Sequence, residues 1–184
     1  MSRPAVLVTG ASTGIGAACA LHLDEIGFQV FAGVRQAAAG LELRDKAANR
    51  LTPLMLDITS TASIAEAVGT IQAATGGVLH GLVNNAGIVV AGPLEYVPVE
   101  EVRRQLEINV VGQVAVTQGV LPLLRAGRGR IVNIGSISGR SALPFMGPYS
   151  ASKFALEAIT DALRVALRPW QIRVSIIEPG AVAT

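Results

Sequence analysis

Ala5-Val6-Leu7-Val8-Thr9-Gly10-Ala11-Ser12-Thr13-Gly14-Ile15-Gly16 runs directly into a helical pattern from Ala17 to about Ile26. A short apolar strand, a glycine-rich turn and a helix, in that order, form the context in which a dinucleotide pyrophosphate is held. Gly10 permits a tight turn, and Gly14 and Gly16 let the backbone approach a pyrophosphate at the helix N-terminus. Unpaired N–H groups and the helix dipole favour an anion there. The spacing is GxxxGxG rather than GxGxxG, and a purely structural glycine turn is the competing reading.

Gly27 closes that helix, and Gln29 to Val34 predicts a second strand. An NAD site would carry a ribose-binding carboxylate at the end of this strand. The chain instead has Arg35 and no acid nearby. Arg35 suits a 2′-phosphate through charge-assisted hydrogen bonds, the alternative being a solvated arginine that opens a loop. NADP(H) is therefore the expected cofactor, with NAD(H) as the second choice. Residues 36–50 predict a helix, and Leu54-Met55-Leu56 a third strand ending at Asp57 and Ile58. The Asp57 carboxylate can accept from an adenine amino group or cap the following helix, Ser60 to about Ala74. Gly76 and Gly77 break that helix. Leu79 to Val83 predicts a fourth strand, followed by Asn84-Asn85-Ala86-Gly87. Two side-chain amides at a strand end can tie neighbouring strands together and line a cofactor floor.

Val99 to about Leu124 is a long helical pattern with Asn109 near its middle. A mid-helix Asn is unfavourable by propensity, so either a local kink holding a water or a solvent-facing side chain is expected. Ile131 to Ile134 predicts the fifth strand and delivers Ser136 to its C-terminal end, the edge where ligands of open α/β sheets collect. Tyr149-Ser150-Ala151-Ser152-Lys153 then begins an Ala-rich helical run after Pro148. A spacing of four puts Tyr149 and Lys153 on one helix face. A phenol is a poor base at neutral pH, and a fixed ammonium beside it favours the phenolate. Ser136 can donate a hydrogen bond to a substrate oxygen. In isolation, YxxxK also fits a surface Tyr and Lys on an ordinary amphipathic helix. Pro169 and Trp170 stop the run, Val174 to Ile177 predicts a sixth strand, and Pro179-Gly180 turn the chain toward Thr184. Six strands alternating with helices predict a Rossmann-type, doubly wound parallel sheet with helices on both faces. One domain over residues 1–184 is expected.

Composition supports this. Hydrophobic residues make up 51% of the 184 and aromatics only 4%, as expected of parallel strands buried on both faces. Net charge is +2, too small an excess for a nucleic-acid footprint, which needs a clustered basic stripe. Arg125, Arg128 and Arg130 read as a solvated turn. The lone Cys19 precludes an intrachain disulfide and fits a reducing compartment, as a small buried hydrophobe within its helix. The apolar run at residues 5–8 is too short for a signal segment, and none reaches membrane-spanning length without Gly, Pro or polar breaks. A soluble, cytoplasmic protein is expected.

The chain resembles the short-chain dehydrogenase/reductase family over essentially its whole length. The resemblance rests on TGASTGIG at 9–16, Asp57, NNAG at 84–87, Asn109, Ser136, YSASK at 149–153 and PGAVAT at 179–184. The wording FAGVR at 31–35, LDIT at 56–59 and IEPG at 177–180 looks most like the retinol- and steroid-dehydrogenase branch. The resemblance implies hydride transfer between a nicotinamide cofactor and a carbonyl carbon, without a metal. Tyr149 would be the general acid/base, and Lys153 would favour its ionised form and hold the nicotinamide ribose. Ser136 would orient the substrate oxygen, and Asn109 would anchor a water linking Lys153 to solvent. Gly10, Ser12, Thr13, Gly14, Ile15 and Gly16 would hold the pyrophosphate. Arg35, Asp57, Ile58, Asn85, Ala86 and Gly87 would lie toward the adenosine, alongside Tyr149 and Lys153 at the other end. Pro179, Gly180, Val182 and Thr184 would meet the nicotinamide carboxamide.

Family members usually continue past this point with a substrate-covering segment and a last strand, so the chain ending at Thr184 reads as a piece of a longer protein. The expected activity is NADP-dependent interconversion of a secondary alcohol and a ketone. An NAD-dependent alcohol dehydrogenase and a non-catalytic dinucleotide-binding sensor are the rivals, the second disfavoured by an intact Ser136, Tyr149 and Lys153. Leu143, Pro144, Phe145 and Met146 could wall an apolar substrate or simply pack as a loop. Ala151, Ala155, Ala158 and Ala162 form a small-residue stripe. That stripe, with the 99–124 helix, suits a homodimer or homotetramer, unless both faces pack on their own sheet.

Overall fold

The computed structural model describes residues 3–48 and 51–182. Its strands are β1 (Ala5–Val8), β2 (Gln29–Val34), β3 (Leu51–Met55), β4 (Gly81–Asn84), β5 (Arg130–Ile134) and β6 (Arg173–Ile177). They form one sheet in the order β3-β2-β1-β4-β5-β6, with every neighbouring pair parallel. This is the doubly wound Rossmann order, and a crevice opens at the C-terminal edge where the winding reverses between β1 and β4. Val6 marks the centre, pairing with Val30 on one side and Gly81 on the other.

Alternation along the strands divides the core between the two faces. Leu7, Phe31, Leu82 and Ile131 pack with Ile64, Ile71, Val120 and Leu124. Those partners come from α3 (Thr61–Thr75) and α5 (Gln113–Gly127). Val6, Val8, Val30 and Ala32 point the other way, toward Ala20 of α1 (Gly14–Glu25) and Leu43 of α2 (Ala37–Asp45). Ser60 caps α3 by accepting from Ser63 N at 3.2 Å, and Gly76 ends it at φ +65°, where a glycine escapes the Cβ penalty.

Several boundaries differ from the sequence reading. α1 begins at Gly14, not Ala17, so the glycines occupy its first turn. β3 begins at Leu51 rather than Leu54 and contains Pro53. β3 lies at the sheet edge, where a missing N–H leaves no ladder bond unmade, so Pro53 does not interrupt it. The long helix is not continuous. α4 (Val99–Leu106) passes into a π-helical turn, Glu107–Gly112, before α5. Counted with its glycines and proline, Val99–Gly127 is long and apolar enough to cross a membrane by length and composition, and Gly112, Gly119 and Pro122 are the breaks within it. Val116, Val120, Leu123 and Leu124 of this stretch are buried against the sheet.

Candidate active site

The switch point holds a cleft of ≈ 490 Å³. Gly10, Ser12, Thr13, Gly14 and Ile15 form one wall, Arg35 stands at the end of β2, and Asp57 and Ile58 follow β3. Asn85, Ala86 and Gly87 close the far side. Gly10 and Gly14 take φ +63° and +57°, a region costly for residues with a Cβ. At Gly10 a Cβ would also lie 2.7 Å from Ala86 Cα, and at Gly16 it would strike Gly10 O and Asn85 Nδ2. Asn85 Nδ2 donates to Thr9 O and Gly10 O, both at 3.0 Å. Thr9 Oγ1 accepts from Asn85 N and Ala86 N, also at 3.0 Å. The glycine turn is thus latched to the end of β4.

Asp57 does not cap α3, since Ser60 does. The Asp57 carboxylate accepts from Thr59 Oγ1 at 2.7 Å and Thr59 N at 2.9 Å. Those two hydrogen bonds hold it below the usual carboxylate range, and the Arg35 charge adds to them. Arg35 is exposed beside the cleft.

A second cleft, ≈ 390 Å³, shares Ile15, Asn85, Gly87, Ile88 and Val89 with the first, so the two are continuous. It gathers Asn109, Ser136, Tyr149, Lys153, Pro179, Gly180 and Val182. Ser136 is buried at the end of β5, and its Oγ accepts from Ser138 N at 3.1 Å. The hydroxyl hydrogen remains free to donate. Tyr149 and Lys153 lie in the first turns of α6 (Gly147–Ala166), where Pro148 occupies a position that needs no donor. Lys153 is 4% exposed, donates from Nζ to Ile134 O at 2.7 Å and sits 5.6 Å from the Tyr149 ring centroid. Burial lowers its ammonium from 10.5 to about 8. Thr184 lies outside the described residues. Leu143 and Phe145 are exposed and line neither cleft.

Asn109 is fully buried in the π-helical turn, which excludes the solvent-facing alternative. Its Oδ1 accepts from Ile88 N at 2.8 Å, and its Nδ2 donates to Ile88 O at 3.0 Å and Ser152 Oγ at 3.1 Å. Gln105 and Gln113, which sequence reasoning passed over, extend this into a ladder. Gln105 accepts from Val90 N at 2.6 Å and donates to Ile88 O at 2.9 Å, and Gln113 donates to Ala86 O at 2.9 Å. On a regular helix each step of four residues drifts about 40°, and the wider π turn rewinds that drift. The three amides therefore meet one strap, residues 86–90. Their spacing of four along one long helical pattern was the available signal.

Asn84 is buried and does separate work. Its Nδ2 donates to Thr117 Oγ1 at 2.9 Å and Asn133 Oδ1 at 3.0 Å, and Asn133 Nδ2 donates to Thr160 Oγ1 at 2.8 Å. Strands β4 and β5 and helices α5 and α6 are joined beneath the cleft. A larger groove, ≈ 900 Å³, lies at the opposite ends of β5 and β6 among Arg128, Arg130, Arg168 and Arg173. None of the expected site residues among those described lines it.

Comparison with known proteins places this geometry. A family model described as short chain dehydrogenase matches residues 4–184. A 3-amino-tetrahydro-pyrrolizinone reductase from Xenorhabdus hominickii is 44% identical over 187 residues, covering 100% of this chain and 63% of that protein. Retinol dehydrogenase 5 of Mus musculus is 40% identical, with 97% of this chain and 57% of that protein covered. 17-beta-hydroxysteroid dehydrogenase type 6 of Bos taurus is 41% identical, again over 97% and 57%. The crystal structure of a short-chain dehydrogenase from Streptomyces avermitilis matches with TM-score 0.94 and 34% identity, over 100% of this chain and 68% of that one. The chain spans 57% to 63% of the length of these curated relatives.

Proposed function

The chain belongs to the short-chain dehydrogenase family, in its retinol- and steroid-dehydrogenase-like branch, and from that premise we propose an NADP-dependent oxidoreductase that interconverts a secondary alcohol and a ketone. One observation carries the reading: Ser136, Tyr149 and Lys153 meet in a cleft continuous with the glycine-turn crevice.

The crevice suits a dinucleotide. Side chains are barred at Gly10 and Gly16, so backbone lines the path, and the α1 N-terminus faces it as an anion site. Ser12, Thr13, Gly14 and Ile15 would hold the pyrophosphate, with Asp57, Ile58 and residues 85–87 about the adenosine. Pro179, Gly180 and Val182 would border the nicotinamide, which when bound supplies the hydride donor or acceptor. Tyr149 gives a proton to the substrate oxygen in reduction and takes it back in oxidation. Lys153, charged below about pH 8, sets its ammonium 5.6 Å from the Tyr149 ring centroid and would hold the cofactor ribose. Ser136 donates its free hydrogen toward the same oxygen, a fixed dipole aimed where charge develops. Asn109 holds Ile88 in place and, through Ser152, the first turn of α6.

Arg35 is the NADP determinant in this reading, since the end of β2 presents a guanidinium and no carboxylate. Arg35→Ala is expected to weaken NADPH binding by about tenfold, the scale of one charge-assisted contact, with NADH little changed. Parallel titrations followed by nicotinamide fluorescence decide it, and equal losses for both cofactors would remove the NADP assignment. Two of these relatives, a retinol dehydrogenase and a hydroxysteroid dehydrogenase, favour an apolar substrate. Ala151, Ala158, Ala162 and Phe154 of α6 are exposed rather than packed on the sheet, which supports a homodimer or homotetramer built on that face.

A further inference from the structure

Three separate segments bring the site residues together, and Arg140, carried by one of them, contacts the other two. Arg140 ends the short turn Ile137–Gly139 that follows Ser136. Its Nη2 lies 2.9 Å from Glu178 Oε1, with Nε 3.1 Å from the same oxygen. The same Nη2 is 3.2 Å from Glu157 Oε2. Glu178 immediately precedes Pro179-Gly180 at the nicotinamide end of the cleft. Glu157 stands on α6 one turn beyond Lys153 and two beyond Tyr149.

The backbone repeats the junction. Gly135 N donates to Ile177 O at 2.7 Å and Ile137 N to Pro179 O at 3.1 Å. The loop also has no slack against α6, for a Cβ at Gly139 would sit 3.1 Å from Lys153 O and 3.3 Å from Glu157 Cγ. Arg140 meets Glu157 through Oε2, while Glu157 Oε1 is buried without a hydrogen-bond partner. Burial, and then the Glu178 charge, push the Glu157 carboxyl up. The hydrogen bond from Arg140 holds Glu178 down.

Resting on the hydride-transfer reading above, we propose that Arg140 is a positioning residue of that site: by bridging Glu157 and Glu178 it sets the Ser136 loop, the acid/base helix and the Pro179-Gly180 segment in register. Its side chain is 64% exposed. Exposed ion pairs contribute little to global stability, whereas misplacing reacting groups by about 1 Å can cost about a hundredfold in rate. A positioning role and a merely structural one therefore separate experimentally.

The test uses the wild-type chain, Arg140→Ala, Arg140→Lys and Glu178→Gln, with NADPH and 2′,5′-ADP as probes. 2′,5′-ADP reports only the adenosine end, and the rise in nicotinamide fluorescence on NADPH binding reports the other. In Arg140→Ala and Glu178→Gln the fluorescence rise is expected to fall by about half or more, with 2′,5′-ADP affinity within about twofold and Tm nearly unchanged. With a turned-over ketone, kcat should fall about tenfold while KM for NADPH holds. Arg140→Lys should restore part of the loss, since a point charge replaces the fork at only one carboxylate. An unchanged fluorescence rise in Arg140→Ala overturns the inference and leaves the hydride-transfer reading standing. Equal losses of both ligands together with a fall in Tm also overturn it, as a structural effect. A wild-type chain that binds neither probe overturns the underlying reading, and the inference with it.

Discussion

Tyr149→Phe is expected to lower turnover by about 10²–10⁴-fold, the span attributable to a positioned general acid/base, while NADPH affinity changes by no more than about threefold. The substitution removes one oxygen from a half-buried ring in the first turn of α6. Nothing else is displaced, because among the described hydrogen bonds that anchor this turn the Tyr149 contribution is its backbone carbonyl, accepting from Ser152 Oγ at 2.6 Å. Ser136 and Lys153 keep their own partners. Steady-state rates in both directions, beside a fluorescence titration of NADPH, separate the two effects. Retained turnover would move the acid/base to another group. Parallel loss of binding would make Tyr149 a cofactor ligand first.

Lys153→Met should lower turnover to a similar degree and change how stability depends on pH. The wild-type ammonium is buried, donates to one carbonyl and has no carboxylate partner among the described ion pairs. Burial lowers it from 10.5 to about 8. The cost of holding that charge is fully present below about pH 8. Between about pH 8 and 10.5 the unfolded chain binds more protons than the folded one, so this group makes wild-type stability rise with pH. The total is on the order of 3 kcal/mol at most. Methionine removes the charge but leaves Ile134 O without its donor, at about 1–3 kcal/mol. The sign of the difference at pH 7 thus depends on two opposed terms, but its pH slope does not. Urea unfolding without cofactor at pH 7 and pH 10 should show wild type gaining on Lys153→Met as pH rises. Parallel curves would mean that Lys153 is not held in a low-pKa environment.

The strand–turn–helix order at residues 5–25, and with it the doubly wound sheet, was legible because buried parallel strands write themselves as short apolar runs between glycine turns. The position of Asn109 was legible as an anomaly but not as an outcome, since a buried amide and a solvated one look alike in composition. Its partners Ile88 and Ser152 become neighbours only through the β4–α4 strap and α6. Gln105, Gln113 and Thr9 were missed for the same reason, each bonding to backbone that is distant along the chain. Pro53 misled locally because only the sheet order reveals that β3 is an edge. Asp57 had two local readings, and Ser60, a better-placed oxygen three residues on, took the cap.

The central position of β1 also orders events during synthesis. As the chain leaves a ribosome, β1 finds β2 after a loop of modest length, and β3 adds to that ribbon. The other side of β1 stays open until Gly81, Leu82 and Val83 emerge to pair with Val6, Leu7 and Val8. Closing that longer loop costs only about 1 kcal/mol more in chain entropy, but it must wait for translation. The crevice at the switch point is completed by this second pairing, when Asn85 latches onto the carbonyls of Thr9 and Gly10. Until that pairing forms, the half-sheet of β1, β2 and β3 lacks the far wall of the crevice, which Asn85, Ala86 and Gly87 supply.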